Sequence, residues 1–243
     1  MIFLWEVILL KVKHTLVNMS KGIVYTTVFG EYDDVINQNL PDGWDWICFS
    51  EKNSLSLYTD NSRNAKKFKI LPHRYLQEYE YSIFIDGNLE VIGDVDELID
   101  KYLMDCNAAF YNHNQAPEYD KRNCIYEEAH AIKWLYEVNP APVSIKVPKD
   151  NLDVIQSQMD KYKGIGFPEK LGLIYGGVIL RRHNEKDCIK TMEDWWSEIR
   201  YHSKRDQLSF NYVAWKNKFK FNYIDGYMRD NEYFNFLKHN KHK

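Results

Sequence analysis

The chain has 243 residues, 44% of them hydrophobic and 28% charged, with only 11 Gly and 7 Pro. That usage excludes a disordered, collagen-like or linker-dominated chain, and the length suffices to bury one sizeable core in a single domain spanning 1–243. Lys and Arg (32) against Asp and Glu (35) give a formal charge of -3, without the basic surplus that non-specific nucleic-acid binding draws on, so no nucleic-acid partner is expected.

The opening ten residues are apolar except for Glu6, too few to span a bilayer core, and lack the positive start and small-residue cleavage site of a signal peptide. They are expected to dock on the fold, with weak membrane-surface association through residues 1–14 as the alternative. The four cysteines, Cys48, Cys106, Cys124 and Cys188, make no C-x-x-C pair, which fits a reducing, cytoplasmic location.

Residues 22–29 (GIVYTTVF) form the first predicted strand, ending at Gly30 and an acidic turn. Residues 46–49, 81–85 (YSIFI), 108–111 and 175–180 are further short runs, apolar on both faces, as strands of a largely parallel sheet are when helices cover both sides. Asp94 with Glu97 starts a helix in which Val95, Leu98, Ile99, Tyr102 and Leu103 recur at helical spacing. Cys188, Ile189, Met192, Trp195, Trp196 and Ile199 share a face of a later helix, and Leu208, Tyr212 and Trp215 one of the next. By that spacing Trp195 and Trp196 are core residues. Strands alternating with helices indicate an α/β sandwich, and a basic tail, 238–243, reads as a solvated end.

Ligands of open α/β sheets bind outside the carboxyl ends of the strands, and Asp86 stands at such an end with Asn88 two residues on. Two oxygen-bearing side chains at that spacing can hold a divalent metal such as Mn2+ or Mg2+; Asp-Gly-Asn is equally an ordinary β-turn sequence. Upstream, Arg63, Lys66 and Lys69 can offset the charge of a bound diphosphate or form a solvated helix face. Asp206 and Gln207 open a helix, where Asp206 also complements the helix dipole. Neither G-x-G-x-x-G, a P-loop, G-x-S-x-G nor H-E-x-x-H occurs.

The strings YTTVFGEYDD (25–34), KILPHRYLQEYEYSIFIDGNLEV (69–91), CIYEEAHA (124–131), QMDKYKGIGFP (158–168), GGVILRRHN (176–184) and WWSEIRYHSKRDQLSFNYVAWK (195–216) occur in one order over residues 22–218. In these the chain resembles the MUCI/TOD-type glycosyltransferase-like domain family, related to GT-A transferases. The resemblance implies a GT-A-like α/β/α sandwich with a mostly parallel mixed sheet, a nucleotide-sugar donor, a glycan or other hydroxyl acceptor, and a divalent metal. It turns the loop carrying Thr26, Phe29, Tyr32 and Asp33 toward the nucleotide and puts Asp86 and Asn88 in place of D-x-D, with an amide for the second carboxylate. Arg205, Asp206 and Gln207 resemble the Asp-Gln segment beside the sugar in related retaining transferases. Asp206 is the first expectation for a carboxylate acting on the sugar and Glu127 the second. Arg181, Arg182 or His183 is expected to reach the cleft. The alternatives are a non-catalytic carbohydrate- or nucleotide-binding module of the same fold and a glycosyltransferase acting on modified nucleic acid.

Overall fold

Six strands pair in the order β2-β1-β3-β6-β5-β7, with β6 antiparallel to both neighbours and the other pairings parallel. The computed structural model describes residues 20–30, 34–137 and 150–237. The strands are β1 (Gly22–Thr27), β2 (Trp44–Phe49), β3 (Tyr81–Ile85), β5 (Ala108–Asn112), β6 (Ile174–Arg181) and β7 (Asn222–Ile224). A second, two-stranded sheet joins β4 (Leu89–Val91) to β8 (Phe234–Phe236). Both β7 and β8 lie beyond Lys218, so the pairing runs past the segment that carries the sequence resemblance.

The central strands β3 and β6 are buried along their whole length, as their apolar runs require. One face of the sheet is covered by α1 (Asn61–Ile70), α3 (Ile125–Glu137), α4 (Leu152–Ile165), α5 (Lys186–Tyr201) and α6 (Phe210–Asn217). The other is covered by α2 (Val95–Tyr102) and the small β4–β8 sheet. This is the expected α/β/α sandwich with a mostly parallel mixed sheet. Asp94 caps α2, its carboxylate accepting from the Asp96 and Glu97 amides. Trp195 and Trp196 are buried in the core, as their spacing predicts. Leu208, expected on the last helix, falls instead in a 3-10 turn, Asp206–Leu208, that precedes α6. Among the described residues no helix is long and apolar enough to cross a membrane; residues 1–14 lie outside them.

The register contains one irregularity that matters for the site. Phe110 of β5 faces Ile179 of β6, but the next residue, Tyr111, faces Tyr175, so residues 176–178 bulge from the ladder. The bulge carries Gly176 and Gly177 and lies against the end of β3, where the Asp86 amide donates to the Gly177 carbonyl at 2.8 Å.

Candidate active site

Four charged side chains meet above the bulge. Lys66 and Lys69, one turn apart on α1, both place their ammonium nitrogens on Asp206 Oδ2, at 2.6 and 2.7 Å. Lys69 also lies 3.5 Å from Asp86 Oδ1. The Lys69 and Asp206 side chains are 4% and 8% exposed, whereas Lys66 keeps 24% and Asp86 46%, so the cluster has a buried floor and an open rim. Gly176 is needed here for its small size: a Cβ would stand 3.1 Å from Asp206 Oδ2 and 3.5 Å from Lys69 Nζ. A Cβ at Gly177 would overlap the Met228 sulfur and come within 3.1 Å of Asp86 Oδ2.

The electrostatics follow from this packing. Burial alone pushes the Asp206 carboxyl up, but the Lys66 and Lys69 ammonium groups overwhelm it and hold the group well below the usual carboxylate range. Burial lowers Lys69, yet Asp206 and Asp86 raise it more, and it ends above an ordinary lysine. Lys66 ends below, because burial and repulsion from Lys69 outweigh the pull of Asp206. In this arrangement the Asp206 carboxylate is held ionised and anchors both lysines. Gln207 is tied by its amide to the Ile174 carbonyl at 3.0 Å, at the start of β6.

The position of Lys69 is fixed from beneath. Arg181, fully buried without a carboxylate partner among the described residues, donates to the carbonyls of Lys69 (2.9 Å) and Ile70 (3.4 Å), and also to the Tyr25 hydroxyl. Tyr25 in turn donates to the Lys69 carbonyl at 2.8 Å. The guanidinium thus sits at the C-terminal end of α1, where the helix dipole and free carbonyls supply its counter-charge. Arg181 was expected to reach the cleft, and it acts below it instead. Arg182 donates to the Leu103 carbonyl, and buried His183 contacts the Leu76 carbonyl at 2.7 Å, so neither enters the cleft.

Other predicted residues are not brought to the cluster. Arg63 points the other way along α1, to Asp60 at 2.9 Å and to the carbonyls of Ile199 and His202 at the end of α5. Phe29 is buried and stacked on Phe68, with ring centroids 5.7 Å apart, so its ring is core and does not face a nucleotide. Thr26 is buried and donates to the Ile85 carbonyl at 2.7 Å, locking β1 to the end of β3. Tyr32 and Asp33 lie outside the described residues. Glu127 is exposed and accepts from the Asn123 amide at 2.6 Å, as an N-terminal partner of α3. Arg205 precedes Asp206, and among the described residues its guanidinium has no hydrogen bond or ion pair, with Nε buried and unpartnered.

Asn88 is buried, its Nδ2 donating to the Leu237 carbonyl at 2.9 Å while its own carbonyl accepts from the Leu237 amide. Its Oδ1 is left as an acceptor two residues from the half-open Asp86 carboxylate. Among the described residues no group of three His, Cys, Asp or Glu side chains is arranged to hold a metal. One carboxylate and one amide oxygen fit a hard cation that arrives with a diphosphate and completes its shell with phosphate and water oxygens. They are too few to hold one alone. A separate cavity of about 570 Å3, lined by Leu171, Trp215, Phe219 and Phe221 beside α6, contains no carboxylate and lacks these groups.

The sequence profile of the TOD1/MUCI70 glycosyltransferase-like domain matches residues 43–242. A curated relative, the "Probable hexosyltransferase MUCI70" of Arabidopsis thaliana, is 29% identical over 191 residues, 76% of this chain. The chain spans 30% of that relative's length. One similar solved structure is a glycosyltransferase involved in the glycosylation of the major capsid of PBCV-1, with TM-score 0.38, 11% identity, and coverage of 84% of this chain and 79% of that one. Another is the WbbM bifunctional glycosyltransferase in its apo form, with TM-score 0.44, 9% identity, and coverage of 86% and 39%. The profile takes in both the Asp86 turn and the Asp206 segment, and with most of its length matched the chain belongs to the TOD1/MUCI70 glycosyltransferase-like domain family.

Proposed function

We propose that this domain transfers a hexosyl or related glycosyl group from a nucleotide-diphosphate sugar to a hydroxyl of a glycan or other acceptor. The observation that carries the reading is the convergence of Asp86, Lys66, Lys69 and Asp206 over the Gly176–Gly177 bulge at the carboxyl end of β3. In an open α/β sheet this is where ligands bind.

Transfer breaks the bond between the anomeric carbon and the diphosphate oxygen, whose electron pair leaves with the diphosphate. The acceptor oxygen bonds to that carbon, and its proton ends on the diphosphate or in solvent. Negative charge therefore grows on the leaving group, and preorganised cations lower the barrier. Lys66, on the open rim, and Arg205, which has no side-chain partner among the described residues, are the groups to meet it; Lys69 and Asp206 form the floor that holds Lys66 in place. A Mn2+ or Mg2+ ion, when bound, would neutralise the same diphosphate charge, held by Asp86 and Asn88 Oδ1.

The test is binding and hydrolysis of UDP-, GDP- and CDP-sugars, with Mn2+, with Mg2+ and with chelator. At least one donor is expected to bind and turn over; a folded protein that binds none of them overturns the reading. Asp86→Ala is expected to abolish turnover with little change in Tm, because Asp86 is half-exposed and its contact with Lys69 is long at 3.5 Å. A fully active variant removes Asp86 from the mechanism. Burial of the Asn88 amide against Leu237 favours a second reading, a binding module of the same fold, which donor binding without turnover would establish.

A further inference from the structure

A second group of polar side chains adjoins the bulge through Tyr175, the residue before Gly176, and the proposed chemistry does not use it. Asp120 follows β5, and its Oδ1 accepts from Arg122 at 2.8 Å. Its Oδ2 is approached by two phenols, Tyr175 of β6 and Tyr227 of the segment after β7, each at 3.3 Å. Hydroxyl-to-carboxylate bonds are ordinarily about 2.5–2.7 Å, so both phenols are loosely held and Oδ2 retains acceptor capacity. The Asp120 side chain is 18% exposed, which lets a ligand reach it.

Aromatic rings surround this carboxylate. Tyr175 is stacked on His113 with centroids 4.4 Å apart and meets Tyr227 edge-on at 6.0 Å. Arg229 lies over the Tyr175 ring at 5.6 Å. Tyr175 is buried between His113 and Arg229, so the half-buried Tyr227 ring is the one a pyranose C–H face can pack on while the sugar hydroxyls find acceptors. The group also adjoins the bulge that borders Asp86. Tyr175 sits in β6 just before the bulge, and Met228, next to Tyr227, packs on Gly177, which also borders Asp86 Oδ2.

We propose that Asp120, Tyr175 and Tyr227 form a hydroxyl-reading subsite for a pyranose ring beside Asp86. It rests on the transferase reading above. The ring belongs either to the donor's sugar or to the acceptor's terminal residue, and the chemistry of recognition is the same: Asp120 Oδ2 accepts a ring hydroxyl and the phenols turn to the ligand. Asp120 is a binding and positioning group here.

The experiment uses the full chain and the variants Asp120→Asn and Tyr227→Phe. UDP, GDP and CDP and their hexose conjugates are titrated calorimetrically, and methyl glycosides of glucose, galactose, mannose and xylose are followed by saturation-transfer NMR with the nucleoside diphosphate present. Losing a hydrogen bond to an ionised group corresponds to roughly 10- to 100-fold in affinity for Asp120→Asn, and less for Tyr227→Phe. If the hexose-dependent part of donor affinity falls while nucleoside diphosphate binding stays intact, the subsite holds the donor sugar. If donor affinity is unchanged and methyl glycoside saturation is lost, it holds the acceptor. Unchanged behaviour of both variants in both arms overturns the proposal. A wild-type chain that binds no sugar nucleotide overturns the transferase reading, and the methyl glycoside arm then decides the subsite separately. Tyr227→Phe keeps the Asp120–Arg122 pair, so its Tm should stay within about 2 °C of wild type.

Discussion

Replacing Asp206 with Asn removes one negative charge from between two ammonium groups while keeping the shape of the side chain. Breaking a buried ion pair from one side costs about 3–5 kcal/mol, because the remaining charge is left without compensation. The lower end applies here, since Lys66 is 24% exposed and Lys69 keeps Asp86 at 3.5 Å. For a chain of this size about 3 kcal/mol corresponds to a fall in Tm of roughly 6–12 °C, read by calorimetry or circular dichroism at neutral pH. The deficit should shrink as pH rises toward the ordinary lysine value of 10.5. In the variant, lysines left buried without their carboxylate are expected to have lowered folded-state values, so their cost is full below that lowered value and is lost as pH rises from it to the unfolded value. In the wild type Lys69 is raised, and the stability it contributes is lost at that same end. A variant that melts with the wild type at neutral pH and is merely inactive would refute the reasoning: Asp206 would then act on the substrate and not as the anchor of the lysines.

Acid stability gives a second test. Burial holds His183 at about 4 against 6.5 when unfolded, so the unfolded chain takes up a proton first and stability falls as pH drops through that interval. That difference corresponds to about 3 kcal/mol, and His73, His113 and His202 are lowered in the same direction; a urea midpoint that stays flat from about pH 7 to 4.5 contradicts it. Gly176→Ala should lower donor turnover and cost about 1–3 kcal/mol, because the carboxylate 3.1 Å from the new methyl is pinned by two lysines and cannot retreat; wild-type kinetics would show that it can. Arg63→Ala should cost about 1 kcal/mol through its lost bonds to the end of α5 and leave donor affinity unchanged in calorimetry. A weakened donor would return Arg63 to the site.

What could be read from the sequence divides by the range of the interaction. The strand at 81–85 and the helix begun by Asp94 were legible because apolar runs and caps are local signals. Trp195 and Trp196 were legible as core because α5 keeps a helical period around them. The β4–β8 pair was not, since three-residue strands about 145 positions apart leave no local trace. The site shows the same division. Asp86 could be found from its place after a strand, and Lys66 and Lys69 from their basic cluster. That Arg63, in the same cluster, turns away is a matter of helix phase: it sits one turn before Lys66 but faces α5. The roles of Gly176, Arg181 and Asp120 depend on the bulge, on the end of α1 and on a contact with Tyr227 far along the chain.

The bond between Asn88 and Leu237 has a consequence for how the protein comes to be active. It joins groups 149 residues apart, and closing so long a loop is entropically late compared with forming the parallel pairs of β1 with β2 and β3. The order of assembly is then sheet first and Asp86 turn last, with segment 234–237 acting as the clasp. A chain emerging during synthesis would hold most of its core before it held its Asp86 turn, so collapse of the core and completion of the proposed donor site are separable in time.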